Sequence, residues 1–96
     1  MLIQQEENNS KGSFFVGTAE NKLAEMVYSM AAPDKMIIEH TEVSDELRGK
    51  NVGYQLVQHA VDYARTNKMK IIPLCPFTLS VFKKKPEYAD VWFQKQ

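Results

Sequence analysis

The sequence lacks the features that would tie it to a disulfide framework, a membrane or a nucleic acid. Its single cysteine, Cys75, cannot form an internal disulfide, and a free thiol is typical of a reducing compartment. No apolar run approaches the ~20 residues that a membrane span needs, and the opening MLIQQEENNS has neither the basic start nor the apolar core of a signal peptide. Twelve basic residues balance twelve acidic ones, so no general attraction to nucleic acid or to an anionic membrane is expected. We therefore expect a cytoplasmic protein that binds neither.

What is present is the composition of one small globular domain. Of the 96 residues, 44% are hydrophobic and 25% are charged, which suffices for a single core. No repeat, linker or low-complexity segment divides the chain. We expect one domain over residues 1–96, either a monomer or a weak dimer, with no metal site.

Strand signals fill the N-terminal half. Alternating apolar and polar residues predict strands over 2–7, 13–18, 23–30 and 35–43, separated by turns. The short connections between them predict an antiparallel meander with one covered face.

The C-terminal half mixes helix and strand signals. The spacing of apolar residues predicts a helix over 53–66, a strand over 70–75, a helix over 77–85 and a last strand over 91–93. A strand, a helix and a strand in this order form a right-handed crossover, so the strands 35–43 and 70–75 should run parallel. The predicted fold is mixed α/β, and a ligand should bind at the carboxyl ends of those two strands.

The loop between the strand 35–43 and the helix carries the main functional signal. It contains Arg48 and Gly49 and opens directly into the helix, whose first N–H groups lack partners within the helix and attract anions. Gly49 and Gly53 fit neither a P-loop nor a dinucleotide-binding loop. The loop therefore predicts an anion site of another kind, with an ordinary strand-to-helix connection as the alternative.

The string LRGKNVGYQLV, residues 47–57, resembles the pyrophosphate-binding motif of the GNAT superfamily of acetyl-CoA-dependent N-acetyltransferases. That motif is usually Arg or Gln, two residues, Gly, one residue, and Gly or Ala. Arg48 and Gly53 match its ends, while Asn51 replaces the middle Gly, and Asn tolerates left-handed backbone better than other non-glycine residues. The strings HTEV and PLCPF resemble one short, single-domain branch of the superfamily. The resemblance implies a GNAT-like sheet whose fourth and fifth strands splay apart at the cofactor site.

The resemblance also implies which residues hold acetyl-CoA. A bulge in the fourth strand would expose backbone groups near Thr41 and Val43, which would bind the pantetheine arm and polarise the acetyl carbonyl. The other expected contacts are Arg48, Gly49, Lys50, Asn51, Val52, Gly53, Tyr54, Phe77, Lys83 and Lys84. For the last two, a solvated helix face is the alternative.

Three residues are candidates for the chemistry. His40 and Glu42 are two apart on one strand, so they share a face unless a bulge intervenes, and together they could orient or deprotonate an amine. A structural, hydrogen-bonded histidine is the alternative. Cys75 could be a small buried hydrophobe, but a thiol beside a helix N-terminus has a depressed pKa. The branch resembled here carries its candidate catalytic cysteine in the PLCPF-like string.

The position seven residues after Cys75 bears on its role. In the usual GNAT pattern, an Asn after the fifth strand is followed seven residues later by a Tyr that protonates the departing CoA thiolate. Here Cys75 and Phe82 occupy those positions, and Phe82 has no proton to give. Tyr88 lies beyond Pro86 and is a weak substitute. The resemblance therefore leaves Cys75 as a general acid, or as a nucleophile that carries the acetyl group.

The resemblance implies transfer of an acetyl group from acetyl-CoA to an amine. The alternatives are a non-catalytic acyl-CoA-binding or protein-interaction module with the same fold, and an acyl-CoA hydrolase that uses Cys75. Only residues 8–12 join the first two strands, where most GNAT enzymes insert helices. We therefore expect an open acceptor site suited to a small amine, a peptide or a protein lysine.

Overall fold

Five strands form one sheet in which the order along the chain is also the order in space. In the computed structural model, which describes residues 1–94, the strands are β1 (Gln4–Asn8), β2 (Lys11–Gly17), β3 (Lys22–Ala32), β4 (Lys35–Val43) and β5 (Lys70–Pro73). The first four pair antiparallel, and β5 runs parallel to β4. The predicted meander, the parallel crossover and the mixed α/β class are confirmed.

Two helices cover one face of this sheet. α1 (Val52–Thr66) carries an apolar stripe at helical spacing, and all of it is buried: Leu56, Val57, Ala60, Val61 and Ala64. α2 (Pro76–Lys84) begins with a proline, at the position where a missing N–H costs nothing, and ends before Pro86. No helix within residues 1–94 is long and apolar enough to cross a membrane.

The core lies between the helices and the sheet. Alternate strand residues point into it and are fully buried, among them Phe14, Met26, Tyr28, Met36 and Ile38. Burying each such side chain contributes about 1.5–3 kcal/mol relative to leaving it exposed. The intervening residues of β3, such as Glu25 and Val27, lie on the opposite face, which no helix covers within the described residues. We call this opposite face the open face.

A bulge in β4 decides which of its side chains reach which face. His40 pairs with Val27, but Ile38 pairs with Tyr28, so Glu39 is the extra residue. Beyond the bulge, His40 lies on the open face and its neighbour in sequence lies on the helix-facing side. A strand without the bulge would place them the other way round, because strand side chains alternate with a period of two.

The pairing of β5 with β4 ends early. Its last pair is Ile38 with Pro73, and β4 continues beyond it. The N–H groups of Leu74 and Cys75 both donate to the Ile38 carbonyl, at 3.1 and 3.0 Å, and the chain then turns into α2. The predicted fifth strand therefore extends too far, because the residues after Pro73 bind one carbonyl instead of continuing the ladder. Within the described chain, the edge of β4 beyond Ile38 has no strand partner on the β5 side.

The predicted last strand over 91–93 is wrong. Pro86–Val91 forms a 3-10 helix, and Trp92 makes one isolated bridge to Ile71. Val91 is buried in the core without joining a ladder. A short apolar run fits a buried turn as well as a strand, so its pattern alone does not distinguish them.

Candidate functional site

A cavity of about 390 Å³ opens at the carboxyl end of β4, beside the start of α1. Its lining comes from β4, the following loop, the first turn of α1 and α2: Thr41, Val43, Leu47, Arg48, Gly49, Asn51, Val52, Gly53, Tyr54 and Phe77. The structure thus brings together most of the residues predicted to hold the cofactor. A larger hollow of about 760 Å³ lies around the β1–β2 turn and contains none of them.

Two left-handed residues shape the loop between β4 and α1. Ser44 first caps a 3-10 turn over Asp45–Leu47 by accepting the Glu46 N–H at 3.3 Å. Gly49 (φ 83°) and Asn51 (φ 58°) then take positive φ values, a region that Gly and Asn enter at least cost. Asn51 therefore adopts the backbone conformation that its residue type led us to expect.

The first turn of α1 meets the cavity with its donors uncapped. Asn51, the N-cap residue, makes no side-chain hydrogen bond to the helix, and no acidic residue lies in the first turn. The N–H groups of residues 52–54 have no intrahelical partner, and the positive end of the helix dipole lies beside them. Arg48 adds an exposed guanidinium that pairs with Asp45 (Nη2–Oδ1 2.5 Å), and such an exposed pair is worth little. This set of groups can hold an anion.

Gly53 allows α1 and α2 to approach each other closely. A Cβ at this position would lie 2.8 Å from Cζ of Phe77, so the ring occupies the space that a side chain would need. The same ring meets Tyr54 edge-on, with the ring centroids 5.4 Å apart. The glycine thereby lets an aromatic wall form in the cavity, a role that motif spacing did not reveal.

Cys75 lies next to the cavity, at the N-cap of α2. The residue is 4% exposed and does not line the cavity itself. Its thiol donates to Oγ1 of Thr41, 3.6 Å away, and Thr41 is a lining residue. One hydroxyl group therefore connects the thiol with the cavity.

The surroundings of Cys75 favour its thiolate. Burial has the largest single influence on the pKa of the thiol and raises it. When the thiol is ionised, the Thr78 N–H, the Phe77 N–H and the two threonine hydroxyls can donate to the sulfur and together outweigh burial, so the pKa lies below its ordinary value. Two of these donors are N–H groups in the first turn of α2, as expected for a thiol at a helix N-terminus.

His40 and Glu42 form a pair on the open face. Nε2 of His40 lies 2.7 Å from Oε1 of Glu42, and both side chains are more than half exposed. They share a face, as predicted, because the bulge precedes both. A hollow of about 210 Å³ is lined by Glu42 and Val43, among others. Val43 also lines the main cavity, so the two hollows share one wall residue at the end of β4.

Three residues predicted to bind the cofactor lie away from the cavity. Lys83 and Lys84 are exposed in the last turn of α2, about 12 Å along the helix from Cys75. Lys50 is exposed on the loop, and its carbonyl accepts a hydrogen bond from the Gln55 side chain at 3.0 Å. Exposure of Lys83 and Lys84 fits a solvated helix face, and their role toward the cofactor stays a prediction.

The aromatic residues considered as proton donors belong to the core. Phe82 is buried, and its ring meets Trp92 edge-on with centroids 5.7 Å apart. Tyr88 is also buried, and its hydroxyl donates to Oε1 of Gln58 at 2.6 Å. Neither Phe82 nor Tyr88 lines the cavity. A tyrosine in the usual acid position is therefore missing from the described site.

Sequence reasoning missed two residues that the structure places at the site. Leu47 lines the cavity from the 3-10 turn. Thr78 is fully buried beside Cys75, where its N–H and hydroxyl lower the pKa of the thiol. The available signal was spacing, since a residue three positions after an N-cap lies close enough to bond to it.

Comparisons with known proteins agree with this architecture. A family model described as GCN5-related N-acetyl-transferase matches residues 13–91. A GCN5-like protein of Staphylococcus aureus, solved by NMR, is 35% identical, with a TM-score of 0.74 over 97% of this chain and 90% of that chain. No curated protein matches the sequence.

More distant structures share the fold alone. Tetrahymena GCN5 is 11% identical, with a TM-score of 0.63 over 93% of this chain and 64% of that chain. A GNAT family acetyltransferase of Elizabethkingia anophelis, solved with acetyl-CoA bound, is 14% identical, with a TM-score of 0.60 over 78% of this chain and 52% of that chain. The chain thus spans about half to two-thirds of the length of these two proteins.

Proposed function

The chain belongs to the GCN5-related N-acetyltransferase family, and on that premise we propose that it transfers an acetyl group from acetyl-CoA to an amine. One observation carries the proposal. A single cavity joins the uncapped start of α1, the left-handed loop before it and the end of β4. The loop and the helix start suit the pyrophosphate of acetyl-CoA, and the end of β4 suits its amide-bearing pantetheine arm.

The loop residues fit the pyrophosphate of acetyl-CoA. The uncapped N–H groups of residues 52–54 and the helix dipole favour an anion. A Cβ placed on Gly49 would meet no atom within 4 Å, so space for a phosphate lies beside its backbone. Arg48 can exchange its solvent-exposed partner Asp45 for a phosphate, because exposed ion pairs are weak.

The end of β4 fits the pantetheine arm and the acetyl group. Beyond Ile38 this strand edge has no partner on the β5 side within the described residues. Backbone groups near Thr41 and Val43 can therefore bond to the amides of an extended arm, as a neighbouring strand would. The aromatic rings of Tyr54 and Phe77 supply the apolar part of the wall.

The acceptor amine would approach from the open face. His40 and Glu42 lie there, on the side of β4 opposite Thr41, and the bulge sets this arrangement. An amine must be neutral to attack, and a histidine held by a carboxylate can take its proton. Positioning the two substrates on the two faces of one strand end would supply much of the rate enhancement.

The chemical step balances with the groups present. Acetyl-CoA supplies an activated thioester carbonyl. The amine nitrogen forms a bond to that carbonyl carbon, the carbon–sulfur bond breaks, and the departing sulfur takes a proton from the Thr41 hydroxyl, which is replaced by the proton of Cys75. The proton that the amine loses goes to His40 and then to solvent, from which Cys75 is reprotonated. This assignment gives Cys75 the role of general acid.

The acceptor site is open on its outer side. Only Asn9 and Ser10 separate β1 from β2, and no helix covers the open face within the described residues. Glu25 and Glu42 line the hollow of about 210 Å³ at the end of β4. An amine on a peptide or protein side chain therefore has access to the acceptor site. The free thiol of Cys75 supports a reducing, cytoplasmic compartment as the place of the reaction.

A panel of small amines and lysine peptides, incubated with acetyl-CoA, tests the proposal. We expect release of free CoA together with an equal amount of acetylated amine, measured by a thiol reagent and by mass spectrometry. CoA release without an acetylated product would indicate a hydrolase instead. CoA binding by calorimetry with no release for any acceptor would indicate a non-catalytic module.

Replacing either member of the open-face pair should slow the reaction without unfolding the protein. We expect His40→Gln and Glu42→Gln each to lower turnover about tenfold, less than the ~10²-fold typical of a buried catalytic base, because solvent can partly replace an exposed one. Melting temperature and CoA affinity should stay near wild type, since both side chains are exposed. A large loss of stability in either variant would assign the pair a structural role.

Asn51→Gly restores the usual motif and should bind CoA at least as tightly as wild type. The substitution relieves a positive φ of 58° at a non-glycine residue while keeping the loop backbone. Calorimetric titration with CoA measures the result. Weaker binding would mean that the Asn51 side chain, and not only its backbone, contacts the ligand.

A further inference from the structure

Thr78 is a polar side chain that the reaction described above leaves unused. It lies in the first turn of α2, three residues after Cys75, and is fully buried. Its Oγ1 has no hydrogen-bond partner of regular geometry within the described residues. Buried hydroxyl groups are nearly always bonded, because leaving one unpaired costs free energy. A partner that is present only in another state of the site would explain why the Thr78 hydroxyl is unpaired here.

Cys75 is the N-cap of α2 and Thr78 is the third residue after it, a spacing that brings the Thr78 side chain next to the Cys75 sulfur. In its protonated form Cys75 donates a hydrogen bond to Oγ1 of Thr41, 3.6 Å away, and a neutral thiol is a weak acceptor. A thiolate accepts far more strongly, since hydrogen bonds to a charged atom are about twice as strong as neutral ones. The Thr78 hydroxyl thus gains a good partner only when Cys75 loses its proton.

We propose that Thr78 is a positioning residue for Cys75, whose buried hydroxyl pairs with the sulfur only when the sulfur is a thiolate. In that state Thr41 reverses its hydroxyl and also donates. Two hydroxyls and the N–H groups at the start of α2 then surround the negative sulfur. Thr78 does not line the cavity, so it touches no substrate and acts through Cys75.

The consequence for catalysis rests on the proposed function. When the Cys75 proton replaces the one that Thr41 gives to the departing CoA sulfur, the Cys75 thiolate remains in a nearly closed site, 4% exposed. Thr78 lowers the free energy of that thiolate and therefore lowers the free-energy cost of moving the proton from Cys75. If Cys75 instead attacks the thioester, the same hydroxyl raises the fraction of attacking thiolate, so both routes depend on it.

Ultraviolet titration of Cys75 tests this inference without any substrate. Since the chain has one cysteine, thiolate absorbance near 240 nm reports that residue alone below the pH at which tyrosines ionise, with Cys75→Ser as the blank. We expect the thiolate fraction at a fixed pH on the rising part of the curve to fall about tenfold in Thr78→Val, the effect of losing one hydrogen bond to a charged atom. Thr78→Ser keeps the hydroxyl and should titrate like wild type.

A stability measurement separates positioning from a structural role. Thr78→Val keeps the shape of the side chain and removes an unpaired buried hydroxyl, so its melting temperature should equal or exceed that of wild type. A lower melting temperature with an unchanged thiolate fraction would overturn the inference. If Thr78→Val does not fold, Thr78→Ala takes its place against Thr78→Ser in the same titration.

Turnover assays distinguish failure of this inference from failure of the proposed function. In Thr78→Val we expect kcat to fall about tenfold with KM for acetyl-CoA unchanged, and Thr78→Ser to restore it. A shifted titration in a protein that acetylates nothing would support the role of Thr78 and reject the acetyltransferase proposal. Acetyl transfer by wild type with an unshifted titration in Thr78→Val would reject the role of Thr78 alone.

Discussion

Gly53→Glu should abolish CoA binding in a protein that still folds. A Cβ at this position meets the Phe77 ring at 2.8 Å, so any side chain must displace that ring from the cavity wall. Glutamate also brings a negative charge to the start of α1, where the uncapped N–H groups would then hold the carboxylate instead of a phosphate. Isothermal titration with CoA measures the loss, and circular dichroism checks the fold.

Gly53→Gln and Gly53→Ala are the matched controls for this result. Glutamine has the size of glutamate without its charge, and alanine has only the Cβ that meets Phe77. We expect partial loss of affinity for both, and complete loss only for glutamate. Unchanged CoA affinity in folded Gly53→Glu would show that the loop before α1 is not the pyrophosphate site.

Cys75→Ala should reduce turnover about 10²-fold, the lower end of the range for losing a general acid, with CoA binding retained. Within the described residues, neither aromatic residue considered as an acid can replace it. The position of the usual tyrosine is filled by buried Phe82, and the hydroxyl of Tyr88 is bonded to Gln58. Loss of the sulfur atom should cost little stability, because alanine fills most of a small buried site. Steady-state kinetics with a saturating acceptor measures the change.

The intact mass of the protein, taken after mixing with acetyl-CoA alone, separates the two roles of Cys75. An acetyl adduct that later passes to an added amine supports attack by the thiolate on the thioester. No adduct together with slow turnover in Cys75→Ala supports the general acid. Full activity in Cys75→Ala would remove both roles and leave this residue as part of the core.

Much of the site could be predicted because its parts are short and local. The run 47–57 contains the motif in one short stretch, and its departure at Asn51 concerned only a backbone conformation that asparagine is able to adopt. The helix 53–66 was predicted within one residue of α1, because apolar side chains at helical spacing reveal a buried stripe. The role of Gly53 was predicted only in part, since Phe77 lies far from it along the chain.

The errors lie where several structures share one pattern. The apolar residues at 91–93 fitted a strand, but Pro86 starts a 3-10 helix and Trp92 makes only a single bridge. The assignment of Lys83 and Lys84 to the cofactor stays a prediction from the family resemblance, with both residues in the last turn of α2. For Thr78 only its spacing from the N-cap was a signal, because the lack of a partner for its hydroxyl depends on neighbours that the fold puts in place.

The sequence by itself determined most of the elements, their order and the left-handed backbone of the loop before α1, since hydrophobic period, glycine, asparagine and proline act over a few residues. Only the tertiary structure decided the chemistry of the site. Thr41 and Cys75 are 34 residues apart and meet through the parallel crossover. The bulge at Glu39 sends His40 to the open face and Thr41 to the cavity side. Such contacts depend on strand register, which the pairing of whole strands sets and which no local pattern contains.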